Sequence, residues 1–154
     1  MSRFLLPAVL AGLLVVSAGF EPPPSLPPVA IVAHPSSPVS ALSVQDLRRI
    51  YTGEVRSFAA VCIQRRLADQ FFETVADQSA RAIGRRWVRL LLSGRVADGP
   101  VSLRTDAEVL AFVRDHPGAI GFVTASAVES GARVKRIAVR GEGGDRNGHL
   151  LLTD

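Results

Sequence analysis

The stretch TDAEVLAFVRDHPGAIGFV, residues 105–123, encodes a helix, a stop and a strand in direct succession. Thr105 is suited to cap the helix N-terminus, and Glu108, three positions later, completes a capping box. Apolar residues then line one helical face until a Pro-Gly pair ends the helix, because proline disfavours the helical conformation in the residue before it. An apolar segment, AIGFV, follows as a short buried strand. The stretch therefore predicts a helix, a tight corner and a strand.

Gly121, inside the predicted strand, has two interpretations. A glycine within a strand permits close approach of another backbone or a ligand, or it leaves room for packed neighbours. We favour the packing interpretation because it is the more frequent one. On this interpretation the stretch identifies architecture and leaves the function to other residues.

The remainder of the chain continues the alternation of strands and helices. Val29–Ala33 is a run of apolar, mostly branched residues bounded by prolines, which favours a buried strand. The other predicted elements are a helix capped by Ser43 with Asp46 in its first turn, a strand at 58–63, a helix carrying Leu67, Phe71, Phe72 and Val75, a helix capped by Ser79, and strands at 100–103 and 134–140. This order predicts one α/β domain, residues 29–141, with a mixed, partly parallel central sheet flanked by helices, followed by a flexible tail at 142–154 whose leucines can dock.

The helix capped by Ser79 has two distinct faces. Its inner stripe comprises Ile83, Trp87, Leu90 and Leu91, and its outer row comprises Arg81, Arg85 and Arg89. We expect the arginine row to be a solvated face, and a partner-binding surface is the alternative.

The N-terminus has the pattern of a secretory signal peptide. A charged start, an apolar run and the small-residue exit Val16-Ser17-Ala18 predict a signal peptide at residues 1–18 with cleavage after Ala18. An uncleaved anchor is the alternative, but the apolar run is shorter than the roughly 20 residues that a spanning helix needs. Residues 19–28 then form a proline-rich linker. We expect a periplasmic or secreted protein that meets the membrane only through its signal peptide.

Several classes of function lack their sequence signals. Aromatic residues make up 6% of the chain and no basic run alternates with them, so we predict no nucleic-acid partner. The histidines His34, His116 and His149 lie far apart, and neither a zinc motif nor a phosphate-cradling or nucleophile motif occurs. We therefore predict no catalytic residues, no metal and no cofactor. Cys62 lies in an apolar segment and is interpreted as a buried structural cysteine.

Helix N-termini remain as candidate binding sites. Ser43 and the entry at Arg65-Arg66 both place backbone N–H groups at a helix start, where the helix dipole favours an anion. Arginine at such a position adds charge-assisted hydrogen bonds. Simple helix capping, without a ligand, is the alternative at both positions.

The order of motifs resembles the periplasmic phosphate-binding proteins of ABC transporters, and more closely their short, single-lobe relatives. The resemblance covers most of the chain after the linker. It rests on residues 29–35 and 38–43, on the block DLRRIYTG at 46–53, on Arg86-Trp87, and on DAEVL and PGAIGFV within the opening stretch.

The resemblance implies one lobe of a type II periplasmic-binding-protein fold. In that family an anion lies in a cleft between two lobes, held by helix N-termini, hydroxyls and an arginine. The family's arginine corresponds here to Arg65 and Arg66, which become the candidate ligand-binding residues. The same segment, QRRLADQFF at 64–72, lacks the family's serine, glycine and threonine donors.

Two hypotheses follow for the function. The first is an exported domain that binds phosphate or another small oxyanion weakly, with a link to ABC-type phosphate transport. The second is a binding-incompetent adaptor that uses the same fold to contact a periplasmic or membrane protein through the row Arg81, Arg85 and Arg89.

Overall fold

The computed structural model describes residues 26–129 and 131–152. The predicted signal peptide at 1–18 and most of the predicted linker at 19–28 lie outside the described residues. Within the described ranges, a six-stranded sheet is flanked by helices on both faces. None of the helices in these ranges has both the length and the apolar character needed to span a membrane.

Every strand and helix predicted from the sequence is present, with small differences at the ends. The strands are β1 Val29–Ala33, β2 Ala41–Ser43, β3 Ala60–Gln64, β4 Val101–Leu103, β5 Ala119–Thr124 and β6 Lys135–Arg140. The helices are α1 Val44–Tyr51, α2 Ala68–Ala76, α3 Ala80–Leu92, α4 Asp106–Asp115 and α5 Ala125–Glu129. The short elements β2 and α5 were not predicted. The α/β class with a mixed sheet is confirmed.

The strand order β2-β6-β1-β5-β3-β4 brings the carboxyl ends of five strands to one side of the sheet. β1 runs antiparallel to β5 and β6, whereas the other neighbouring pairs are parallel. All strands except β1 therefore end on the same side, which we call the carboxyl edge. Helices α1, α2, α4 and α5 each begin there, directly after β2, β3, β4 and β5.

Both faces of the sheet are covered by helices. Every residue of β1 is fully buried, because α1, α2 and α3 pack on one face and α4 and α5 on the other. An aromatic cluster of Tyr51, Phe71, Phe72 and Phe122 fills the first face. The rings of Phe71 and Phe122 stack at 3.8 Å between centroids. Burial on both faces explains why β1 is continuously apolar rather than alternating.

The opening stretch has the predicted structure. The Thr105 hydroxyl accepts a hydrogen bond from the Glu108 N–H at 3.2 Å, and the Glu108 carboxylate accepts one from the Thr105 N–H at 3.4 Å. The helix ends at Asp115, and Gly118 adopts φ +83°, a conformation that glycine reaches without steric cost. The capping box and the Pro-Gly corner are confirmed.

Gly121 packs against α4. A Cβ atom at this position would lie 2.7 Å from Cγ1 of Val109 and 3.2 Å from Cγ2 of Val113. Both distances are shorter than van der Waals contact, so only glycine allows the helix to sit this close to β5. The packing interpretation is confirmed.

The Arg86-Trp87 pair ties α3 to the end of α1. The indole N–H of Trp87 donates to the Tyr51 carbonyl at 2.9 Å, and Nε of Arg86 donates to the Thr52 carbonyl at 2.7 Å. These carbonyls lie at the C-terminal end of α1, where backbone C=O groups have no N–H partner within the helix. Two separate blocks of the family resemblance are thus joined by hydrogen bonds.

The inner stripe of α3 is shorter than predicted. Ile83 and Trp87 are buried and Leu90 is half-buried, but Leu91 is 38% exposed. The prediction for Leu91 was wrong because the last turn of α3 faces the loop at Gly99 instead of the sheet. The arginine row Arg81, Arg85 and Arg89 is exposed, as expected of a solvated face.

The segment after β6 returns to the sheet. Leu150 is fully buried and exchanges two backbone hydrogen bonds with Val29, at 2.7 and 2.9 Å. Leu151, by contrast, is 48% exposed. Leu152 is partly buried and packs against the same core. The described part of the predicted tail at 142–154 therefore docks through Leu150 and Leu152.

The capping box of α1 is also confirmed. The Asp46 carboxylate accepts hydrogen bonds from the Ser43 backbone N–H at 2.9 Å and from the Ser43 hydroxyl at 2.8 Å. These two bonds hold the pKa of Asp46 below its ordinary value. A lowered folded-state pKa stabilises the fold above the unfolded-state pKa, and this contribution is lost as the pH falls through the folded-state value.

The first prediction concerns the contact between β5 and α4. Gly121→Ala should lower the free energy of unfolding by about 1–3 kcal/mol, since the added methyl group overpacks the interface. Val109→Ala removes the nearest methyl groups, so the double variant should be more stable than the sum of the single changes by roughly 0.5–3 kcal/mol. Urea unfolding of all four proteins measures this coupling. Strictly additive changes would show that the two residues do not share one packing space.

The second prediction concerns the pH dependence of stability. Asp46→Asn should lower the melting temperature by a few degrees at pH 7, because the charge-assisted bonds of the cap are lost. The difference from the parent protein should shrink below about pH 4, where the parent carboxylate also becomes protonated. Melting curves from pH 3 to 7 test this, and a difference independent of pH would contradict it.

Candidate functional site

The carboxyl edge is where open α/β sheets bind their ligands, because helix N-termini and loop donors converge there. Two of the four helix starts are already occupied by carboxylates of the chain. Asp46 interacts with the start of α1, and Glu108 interacts with the start of α4. Ser43, a candidate from the sequence, therefore caps its own helix.

The start of α2 is shaped by Gln64, the last residue of β3. Gln64 is 4% exposed, and its Oε1 accepts hydrogen bonds from the N–H groups of Arg66 at 2.7 Å and Leu67 at 3.1 Å. Its Nε2 donates to Oδ1 of Asp106 at 3.1 Å. The buried amide of Gln64 thus accepts hydrogen bonds from two backbone N–H groups of the β3–α2 corner and donates one to the first residue of α4.

Asp106 completes this network in the middle of the carboxyl edge. Its carboxylate also accepts hydrogen bonds from the backbone N–H and the hydroxyl of Thr124, at the end of β5. A carboxylate only accepts hydrogen bonds, so the donors of Gln64 and Thr124 are already used. A carboxylate also repels a second anion beside it. The centre of the edge is therefore unsuited to an oxyanion.

Sequence reasoning did not identify the Gln64–Asp106–Thr124 network. Two signals were available: a glutamine directly after the strand predicted at 58–63, and an aspartate at the first position of a capped helix. Neither signal gives the partner, because the hydrogen bonds span 42 and 18 residues of sequence.

The predicted ligand residues Arg65 and Arg66 lie beside this network and are both exposed. Their backbone N–H groups are used, by the Leu103 carbonyl and by Gln64 respectively. Within the described part of the chain, neither guanidinium forms an ion pair or a hydrogen bond. The two arginines are placed differently: Arg65 lines a cleft, and Arg66 is not among the residues that line it.

Helix α2 begins at Ala68 without a side-chain cap at Leu67. The first-turn N–H groups of residues 68–70 have no acceptor among the described residues, as expected of an uncapped helix start. Asp69 lies in this turn, but its carboxylate accepts a hydrogen bond from the Ala80 N–H at 3.0 Å and so is directed at the start of α3. Of the starts of α1, α2 and α4, that of α2 is the one best able to accept an anion.

The cleft beside Arg65 lies between α2, α3 and the edge strand β4. Its volume is about 380 Å³. Its lining consists of Ile63, Arg65, Ala68, Phe72, Ala80, Gly84, Trp87, Pro100 and Ser102. Arg65 is the one charged member of this set and Ser102 contributes a hydroxyl, so the cleft is apolar with a cation on its wall.

Cys62 lies in the opposite core and is fully buried. Burial raises the pKa of its thiol to about 12, so it remains protonated at neutral pH. The interpretation of Cys62 as a buried structural residue is confirmed.

Comparison with known proteins identifies the fold through solved structures. No protein-family model and no curated protein sequence matches the chain. A protein from Clostridium perfringens, assigned as a phosphate ABC transporter substrate-binding protein and crystallised with bound phosphate, superposes with a TM-score of 0.56 at 17% identity, over 75% of this chain and 46% of its own.

Two further structures agree with this match. An ABC-type phosphate transport receptor from Vibrio cholerae has a TM-score of 0.51 at 18% identity, covering 83% of this chain and 56% of its own. PstS from Borrelia burgdorferi has a TM-score of 0.53 at 12% identity, with the same coverage of both chains. The chain thus spans about half the length of the solved structures it matches. It has the fold of the phosphate ABC transporter substrate-binding proteins, as the sequence resemblance predicted.

Proposed function

We propose that the chain is an exported binding domain that holds phosphate or another small oxyanion weakly at the start of α2. The observation that carries this proposal is the uncapped first turn of α2, with the unpaired guanidinium of Arg65 beside it. Backbone N–H groups at a helix start and an arginine together form a common oxyanion site. The phosphate bound by the Clostridium perfringens protein supports the choice of ligand.

The site has the features of weak binding. Both arginines are exposed, so water competes for them and salt screens them. The carboxyl group of Asp106 lies in the same edge of the sheet, and the chain spans about half the length of the phosphate-binding structures that it matches. A dissociation constant on the order of millimolar is expected for such a site. The link to ABC-type phosphate transport belongs to the same proposal and rests on the shared fold.

The third prediction is that phosphate binding depends on Arg65 more than on Arg66. Titration with phosphate and sulfate should shift the amide resonances of residues 68–70 in NMR spectra. Arg65→Gln should weaken the binding about three- to tenfold, since one charge-assisted hydrogen bond is lost at an exposed site. Arg66→Gln should have a smaller effect, because this side chain does not line the cleft.

Arg133→Gln serves as the control for net charge, because Arg133 is an exposed arginine outside the carboxyl edge. It should leave the binding unchanged at fixed ionic strength. Equal weakening by all three substitutions would mean that phosphate responds only to overall charge. An absence of shifts at 68–70 up to tens of millimolar phosphate would refute the proposal.

A second candidate function, an adaptor for a periplasmic or membrane protein, is favoured by the outer face of α3. Val88 is 53% exposed and Leu92 is 84% exposed, and they lie among the arginines of the outer row. Exposed apolar residues rimmed by charges are typical of a protein-interaction surface.

The fourth prediction tests this adaptor. In-cell crosslinking through a photoreactive residue at position 88 should capture a defined partner. Serine at Arg81, Arg85 and Arg89 should abolish the crosslink while leaving the melting temperature within a few degrees of the parent. A crosslink that survives the triple substitution would exclude the arginine row as the contact surface.

A further inference from the structure

We propose that the preferred ligand is an organic anion with an apolar body, held with its carboxylate or phosphate group at Arg65 and its body in the cleft between α2 and α3. This inference rests on the proposed oxyanion site and deepens it by naming the class of ligand. It follows from the size of the cleft, the chemistry of its walls and the position of its charge.

The cleft is large for an inorganic anion. Its volume of about 380 Å³ lies within the range of about 300–1,000 Å³ typical of small-molecule sites. Gly84 lies on its α3 wall, and a Cβ atom built there would meet no heavy atom within 4 Å. The open space above Gly84 is therefore not used by the packing of the protein itself.

The apolar walls of the cleft favour an apolar group of a ligand over a hydrated inorganic ion. Phe72 is 1% exposed and Trp87 is 7% exposed, and Ile63 and Pro100 extend the same apolar surface. An inorganic oxyanion gains nothing from such a surface, since moving its charge there removes its hydration. An apolar group gains roughly three- to fourfold in affinity for each buried methylene.

The charge lies where an anionic head group would need it. Arg65 is the one charged lining residue, and Ala68, which begins the uncapped turn of α2, lines the same cleft. A ligand with its head group at these residues can extend its body toward Gly84 and Trp87. A molecule with both an anionic group and an apolar body matches the whole surface.

A second copy of this chain is a poorer occupant. Helix α3 forms one wall of the cleft, and its sequence, ARAIGRRWVRLLL, carries four arginines and no acidic residue. Two such faces brought together would repel each other. The arginines of α3 lie outside the lining of the cleft but on the same helix, so the charge around the cleft favours an anionic small molecule.

The fifth prediction uses Trp87 as a built-in reporter, because it is the sole tryptophan and lines the cleft. Titration with acetate, butyrate, hexanoate and octanoate should give affinities that rise with chain length, accompanied by a change in Trp87 emission. Inorganic phosphate should bind more weakly than hexanoate. Isothermal titration calorimetry gives the affinities independently of the fluorescence.

Gly84→Leu should fill the cleft and weaken hexanoate binding at least tenfold, while phosphate binding at the start of α2 stays within twofold of the parent. Gly84→Ala is the matched control, since one methyl group leaves most of the cleft open and alanine suits a helix interior. Circular dichroism and melting curves establish that both variants are folded. Arg65→Gln should weaken hexanoate and phosphate alike.

The outcomes separate this inference from the proposed oxyanion site. Equal affinity for acetate and octanoate, or hexanoate binding unchanged by Gly84→Leu, would overturn the inference while leaving a phosphate site in place. Binding of every anion unaffected by Arg65→Gln would overturn both. A dimer in light scattering that Gly84→Leu dissociates would show that a second copy fills the cleft, and would also overturn the inference.

Discussion

The hydrogen bonds of the Gln64 side chain determine what the carboxyl edge can do. A buried amide needs hydrogen-bond partners, and Gln64 finds them on two elements at once: its Oε1 accepts from the β3–α2 corner and its Nε2 donates to Asp106 of α4. Asp106 in turn fixes the end of β5 through Thr124. Because the central donors serve the fold, the proposed oxyanion site lies further out, at the first turn of α2 and Arg65.

The elements that could be predicted from the sequence are those encoded by neighbouring residues. The capping box of Thr105 and Glu108, and the stop at Gly118, each depend on contacts within a few positions, so the bounds of α4 followed directly. β1 was predictable because its apolar run reflects burial on both faces. β2 and α5 were missed because three- and five-residue elements carry too little periodicity to be distinguished from loops.

The candidate site was predicted less completely, for a related reason. Adjacency of Arg65 and Arg66 suggested a joint site, but successive residues leave a strand end in different directions, and only Arg65 reaches the cleft. The cleft itself has walls from β3, β4, α2 and α3, so no local pattern encodes it. The predicted burial of Leu91 was wrong for a similar reason. Helical periodicity identifies the apolar face of a helix but not how far the core beneath that face extends.

The residues that carry the family resemblance have structural roles in this chain. Trp87 and Arg86 donate to the last carbonyls of α1, and Gly121 admits Val109 of α4. These contacts hold the helices on the sheet and involve no ligand, and the chain shares its fold with solved structures at 12–18% identity. Ligand preference must then be set by residues outside those blocks, and Arg65 and Gly84, on opposite walls of one cleft, have the positions to set it.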